Sequence, residues 1–131
     1  MKIKQTIELE IEVDDQWVEL LTKYNDIFRA DHCGYWLAGM ERDETGWLAH
    51  EQDNDENANI VSKKPGYSDI VLAWKLGKPL PEGWFRINKE TAIAIWVQGV
   101  KEYGIHWYET SDALTYDYLI QKVLLGEHRY S

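Results

Sequence analysis

Asp117 and Gln121 stand one helical turn apart in the stretch from Asp112 to Ser131, DALTYDYLIQKVLLGEHRYS, where polar residues are most closely set among apolar ones. At about 100° per residue, Ala113, Tyr116, Leu119, Ile120, Val123 and Leu124 form one apolar arc. Leu114, Tyr118 and Leu125 form a second, and Asp117 and Gln121 fall between the two. The helix is therefore expected to be covered on two sides, with an acid and an amide at the seam. Buried polar groups have to be paired, so two roles compete. Asp117 and Gln121 either tie the helix to neighbouring backbone or to an Arg, or they line a pocket. For the pocket, the expected ligand-facing set is Trp36, Trp107, Tyr116, Asp117, Gln121 and Glu127. Aromatic faces would stack a flat ligand and the few polar groups would orient it.

Catalytic chemistry has weaker anchors. Glu109, Asp112, Asp117 and Glu127 lie near aromatic residues, and paired carboxylates do acid–base work when their surroundings split their pKa values. Spacing alone does not make these four converge, and no catalytic residue is assigned. His32, His50, His106 and His128 are isolated, without an HxxxH or HExxH pair. Asp53, Asp55, Asn57 and Asn59 alternate oxygens as a calcium loop would, but Ala58 stands where that loop needs Gly and Lys64 where it needs Glu. No metal and no cofactor is expected. His32 and Cys33 are adjacent, and on a strand they would point apart rather than form a nucleophile–base pair. Glycine-rich phosphate loops and nucleophile elbows are absent from the sequence.

Composition narrows the classes further. The 131 residues are expected to form a single α+β domain over 1–131. Seven Trp and eight Tyr against two Phe lean towards amphipathic rings, used in cores with a bonded tip and on binding surfaces. A net charge of −9 disfavours direct nucleic-acid binding, which needs Lys and Arg to displace counterions. It leaves open an acidic surface that imitates nucleic acid towards a basic partner. The single Cys33 excludes an intrachain disulfide and fits a reducing, cytoplasmic setting. No signal peptide or membrane span is expected.

The elements that would position these residues are read as β-α-β-β-α-α-α, a small antiparallel sheet with helices packed on one face. Residues 2–13 alternate, with Ile3, Ile7, Leu9, Ile11 and Val13 on one side, and predict one half-buried strand. A helix follows from an Asp14 or Asp15 cap to about Phe28, with Trp17, Leu20, Leu21, Tyr24, Ile27 and Phe28 on its face. GYWLAGM and GWLAHEQ predict a hairpin whose first strand is central, with Gly39 at a bulge or a close backbone approach. Residues 51–59 read as a mobile acidic loop, continued by SKKPG. A compact helix capped by Ser68 and stopped by Gly77 comes next, with strand as the alternative. GWFRI leads to a helix capped by Asn88 and ended by Gly104, with Ile93, Trp96, Val97, Val100 and Tyr103 as its stripe. Gly99 within it implies a closely packed neighbour. The last helix is capped by Ser111 and stopped by Gly126, and the Tyr130 ring would dock the tail beyond it.

From Trp74 onward the chain resembles a group of small uncharacterised proteins of bacteria and their phages or prophages. The resemblance rests on AWKLGKPLPEGWFRI and above all on TYDYLIQKVLLGEHRY, and more weakly on the GYW string at Gly34. Its closing form is D-x-x-I/V-Q-x-x-L-x-G-E-x-x-Y, matched here by Asp117, Ile120, Gln121, Leu124, Gly126, Glu127 and Tyr130. It covers under half of the chain, and Ser131 stands where Gly is expected. It brings no catalytic residues and implies a bacterial or phage cytoplasm and an accessory, counter-defence type of role. The expected function is a non-enzymatic binding protein whose partner is a host protein or a small, flat, nucleotide-like ligand. A small hydrolase built on the C-terminal carboxylates, or an assembly component, is the alternative.

Overall fold

The computed structural model describes residues 1–4, 10–52 and 58–131. The chain is an α+β protein, with two small antiparallel sheets and five α-helices among the described residues. Strands β1 (Lys2–Lys4) and β2 (Glu10–Glu12) pair antiparallel, Ile3 opposite Ile11. The single strand expected over 2–13 is thus corrected: its two ends pair with each other and stay apart from the other sheet. Pairing gives the backbone groups of both ends partners, which a lone strand lacks. The alternation survives, with Ile11 and Val13 buried and Glu10 and Glu12 exposed. Ile7 and Leu9 lie outside the described residues.

Helix α1 (Asp15–Lys23) starts where Asp14 Oδ1 accepts the Gln16 N–H at 2.8 Å, and it buries Trp17 and Leu21 completely. It stops at Tyr24, short of the expected Phe28, and a separate 3-10 turn covers Asp26–Phe28. Asn25 and Asp26 follow directly, residue types whose side chains favour turns over helix interiors. Tyr24 is exposed, not part of the docking face, whereas Ile27 is buried.

The second sheet holds β3 (Leu37–Asp43), β4 (Gly46–Glu51) and β5 (Trp84–Ile87), in the order β3-β4-β5. The hairpin is present, but β4 is the central strand and β3 an edge, because GWFRI supplies a third strand. Four residues are too short for periodicity to reveal. The register slips between Gly39 and Glu41, and a Cβ on Gly39 would lie 2.8 Å from the Phe28 ring. Bulge and close approach coincide there.

Side chains alternate across the sheet. Trp47, Ala49, Phe85 and Ile87 face the main core with α1 and α4 (Lys89–Tyr103). On the opposite face, Arg86 donates to the Ala73 carbonyl at 2.9 Å, at the end of α3 (Tyr67–Lys75). Tyr67 of α3 lies against Trp84, and Trp84 against His50. Helices therefore lie on both faces, a difference from the one-sided arrangement expected. The compact helix forms as expected, capped by Gly66 rather than Ser68. A further short helix, α2 (Ala58–Ser62), occupies what reads as the end of the acidic loop; residues 53–57 of that loop lie outside the described residues.

In α4, Asn88 Oδ1 accepts the Thr91 N–H at 3.0 Å and Gly104 ends the helix, as expected. The buried face is rotated from the expected stripe: Ala92, Ile95, Trp96, Val97 and Gly99 are inside, and Tyr103 is exposed. Small residues admit large neighbours. The Trp17 indole donates to the Ala92 carbonyl at 3.0 Å, and a Cβ on Gly99 would sit 2.5 Å from the Trp107 ring. Helix α5 (Ala113–Leu125) is capped by Asp112, whose Oδ1 accepts the Thr115 N–H at 3.0 Å. Ser111, the expected cap, instead donates to the Trp107 carbonyl. Among the described residues, no helix is long and apolar enough to cross a membrane.

Candidate functional site

Helix α5 buries Asp117, Leu119, Ile120 and Gln121. Of the expected second arc, Tyr118 and Leu125 are half-buried against the core, while Leu114 is 78% exposed. Asp117 and Gln121 are therefore buried, and the second side is covered only in part.

The chain before β3 meets this face. Its turn is held by the Cys33 N–H on the Ile27 carbonyl at 2.9 Å and the Gly34 N–H on the Arg29 carbonyl at 2.8 Å. Tyr35 and Trp36 are thereby aimed at α5. Asp117 Oδ1 accepts the Trp36 indole N–H at 2.7 Å and the Gln121 amide at 3.0 Å, and Oδ2 accepts the Tyr35 hydroxyl. Cys33 is buried beside this carboxylate and feels its charge.

Gln121 continues the network into the last residues. Gly126, at φ 78°, ends α5 in the left-handed conformation that glycine tolerates, and the chain turns back. Gln121 Oε1 then accepts the Arg129 and Tyr130 N–H groups, both at 2.8 Å, while its Nε2 donates to the Tyr130 carbonyl at 3.0 Å. The Tyr130 ring stacks on Trp36, centroids 5.7 Å apart and 11° from parallel. The Tyr130 hydroxyl reaches Glu51 at 3.2 Å, and Arg129 Nη1 lies 3.0 Å from both Glu51 oxygens. The tail is docked by backbone recognition, a stacked ring and an ion pair together.

Burial, and then the Asp117 charge, raise the Cys33 thiol well above its ordinary value. Burial, then the hydrogen bond to Asp117 and then its charge, push the Tyr35 hydroxyl up. Both groups stay protonated at neutral pH, and neither is set to act as a nucleophile or base there.

Beside Asp117 a cavity of about 500 Å³ opens, lined by His32, Tyr35, Leu114, Tyr118 and His128 among others, with mostly apolar walls. The His32 Nδ1 lies 2.7 Å from the Asp26 carbonyl. A carbonyl only accepts, so Nδ1 carries the proton and a neutral His32 keeps Nε2 as its acceptor. The His128 ring packs edge-on against Tyr118, centroids 5.5 Å apart. Larger hollows lie between β2 and residues 105–109 and beside Asp43–Thr45, but neither touches the Asp117 network.

The structure brings together three of the six expected ligand-facing residues, Trp36, Asp117 and Gln121. Trp107 and Tyr116 belong to a separate aromatic cluster with Trp17, Trp96 and Tyr108, and Trp107 is only 1% exposed. Glu127 is exposed and holds Arg129 Nε at 3.0 Å. Sequence reading passed over Tyr35, His32, Leu114 and His128 as site residues. For Tyr35 the GYW string was a signal; the two histidines are 96 positions apart and carry none. Among the described residues, no group of three or more His, Cys, Asp or Glu is placed to hold a metal ion. No family model matches the chain, and no curated protein or solved structure matches it either.

Proposed function

We propose that this chain is a non-enzymatic binding protein that takes a small, largely apolar, flat ligand in the cavity beside Asp117. The observation that carries the reading is that cavity: about 500 Å³, apolar-walled, with a few polar groups converging from three separate segments. That size and lining are those of small-molecule sites. The accessory role in a bacterial or phage cytoplasm, implied by the closing segment, belongs to the same proposal. The hydrolase alternative has less support. Three neutral side chains hydrogen-bond to Asp117, and Glu127 is held by Arg129, so neither carboxylate stands ready as a partner for the other.

The test is a saturation-transfer NMR screen of aromatic fragments, nucleosides included, on the protein and on Leu114→Trp. Leu114 is exposed at the cavity wall, so the larger ring should fill the cavity and leave the melting temperature unchanged. Fragments that bind the parent and are lost in the variant support the reading. A screen without hits, or hits indifferent to Leu114→Trp, overturns it.

A further inference from the structure

The charge inside the network points to the kind of ligand. Asp117 is 7% exposed and its side-chain donors are neutral: an indole, a phenol and an amide. Among the described residues no cation pairs with it. Arg129 is held by Glu51 and Glu127, and Arg29 lies against Asp31 at 3.4 Å. Neutral donors offset only part of what a carboxylate loses on leaving water; an opposite charge offsets the rest. Asp117 itself lines the cavity, so the cavity offers it a route to such a charge.

From this we infer that the cavity binds a small organic ammonium ion, its charged head towards Asp117 and Tyr35 and its apolar body against Leu114 and Tyr118. The inference rests on the ligand-binding reading above and specifies its chemistry. The walls select the class. Asp117 repels an anion, and a neutral apolar ligand leaves the carboxylate unmatched. A bare metal ion needs several further oxygen or nitrogen donors, which the described residues do not gather there. An ammonium head needs one carboxylate and gains from nearby aromatic rings, and Tyr35 and Tyr118 line the same cavity.

Three probes of matched shape test this on the whole chain: phenethylamine, 2-phenylethanol and hydrocinnamate, titrated by heteronuclear NMR with the Trp36 indole N–H as reporter. The amine is expected to bind at least about tenfold more tightly than the alcohol, and hydrocinnamate not to bind. Leu114→Lys places a fixed ammonium at the rim of the cavity and should abolish the amine's advantage without lowering the melting temperature. This variant keeps the test decisive where Asp117→Asn fails to fold. If the alcohol or the acid binds as tightly as the amine, or the advantage survives Leu114→Lys, the ammonium inference is wrong and the ligand-binding reading stands. If none of the three perturbs the Trp36 region at millimolar concentration while other fragments do, again only the ammonium inference fails. If no fragment binds at all, both fall.

Discussion

Two aromatic regions flank α5, and they hold their indoles in opposite ways. Around Asp117 the polar atoms of Trp36, Tyr35 and Gln121 all find partners, and every contact is directional. In the cluster of Trp17, Trp96, Trp107, Tyr108 and Tyr116, rings pack edge-on or tilted at centroid distances of 5.1–6.4 Å. Only Trp17 has its N–H bonded, to Ala92; the buried N–H groups of Trp96 and Trp107 have no partner among the described residues. One region is specified by hydrogen bonds, the other by shape. A hydrogen-bonded network fixes which segments meet, here the turn before β3, α5 and the tail. A ring cluster supplies apolar burial and tolerates an unsatisfied donor in return for dense packing.

The difference predicts unequal responses to mutation. Asp117→Leu has the largest expected effect. It keeps the branched outline but strands the Trp36 and Gln121 donors in the interior, and each stranded group costs about 1–3 kcal/mol, for a total of about 2–6 kcal/mol in urea unfolding. An unchanged unfolding midpoint would refute the structural role given to this carboxylate. Next is a comparison that touches a single atom. Replacing the indole N–H with sulfur, through 3-benzothienylalanine, leaves the ring shape intact. At Trp36 it removes a bond to a carboxylate and should lose about 1.5–3 kcal/mol. At Trp107 it removes a donor that bonds nothing, so stability should hold or rise. Equal losses at the two sites would erase the distinction between the regions.

Gly99→Ala should have a smaller effect, confined to the ring cluster. The added Cβ would lie 2.5 Å from the Trp107 ring, an overpacking worth about 1–3 kcal/mol. Alanine regains about 1 kcal/mol of helix propensity, leaving a net loss of about 1 kcal/mol. A net gain, read from the same urea curves, would mean that the cluster repacks freely.

What the sequence revealed follows this division. Asp117 and Gln121 were legible because a helix fixes their mutual position, and Gly39 and Gly99 because a glycine inside an element marks a close neighbour. Tyr130 was legible as a docking ring. The partners were not legible. Trp36 and Asp117 are 81 positions apart, and Gln121 binds backbone N–H groups that every residue possesses. The rotated face of α4 escaped because Ala92 and Gly99 add little to an apolar stripe, though their smallness is what admits Trp17 and Trp107. The pairing of residues 2–4 with residues 10–12 escaped because alternation reports which side is buried and says nothing of which strand is the partner.

The smallest predicted effect isolates one atom of the bonded region by pH. Cys33 binds its proton more tightly in the folded protein than in the unfolded chain. Once pH rises past the thiol's ordinary value of 9.0, the unfolded chain releases a proton that the folded protein keeps. Cys33's contribution is therefore complete below about pH 9 and is lost as pH climbs through the raised value. Of the other described groups raised by their surroundings, Tyr35, Tyr67, Tyr108, Tyr116 and Tyr118 start from an ordinary value of 10.0 and Arg129 from one well above that. They act in the same direction but begin later. Between pH 9 and pH 10 the decline should thus belong to Cys33, and Cys33→Ala should delay its onset by about one pH unit, the gap between ordinary thiol and phenol values. Urea midpoints taken every half unit from pH 7 to pH 10.5 will show the shift. Superimposable profiles would mean that the thiol does not feel the burial and the Asp117 charge, and the influence of that charge would then end at the groups bonded to it.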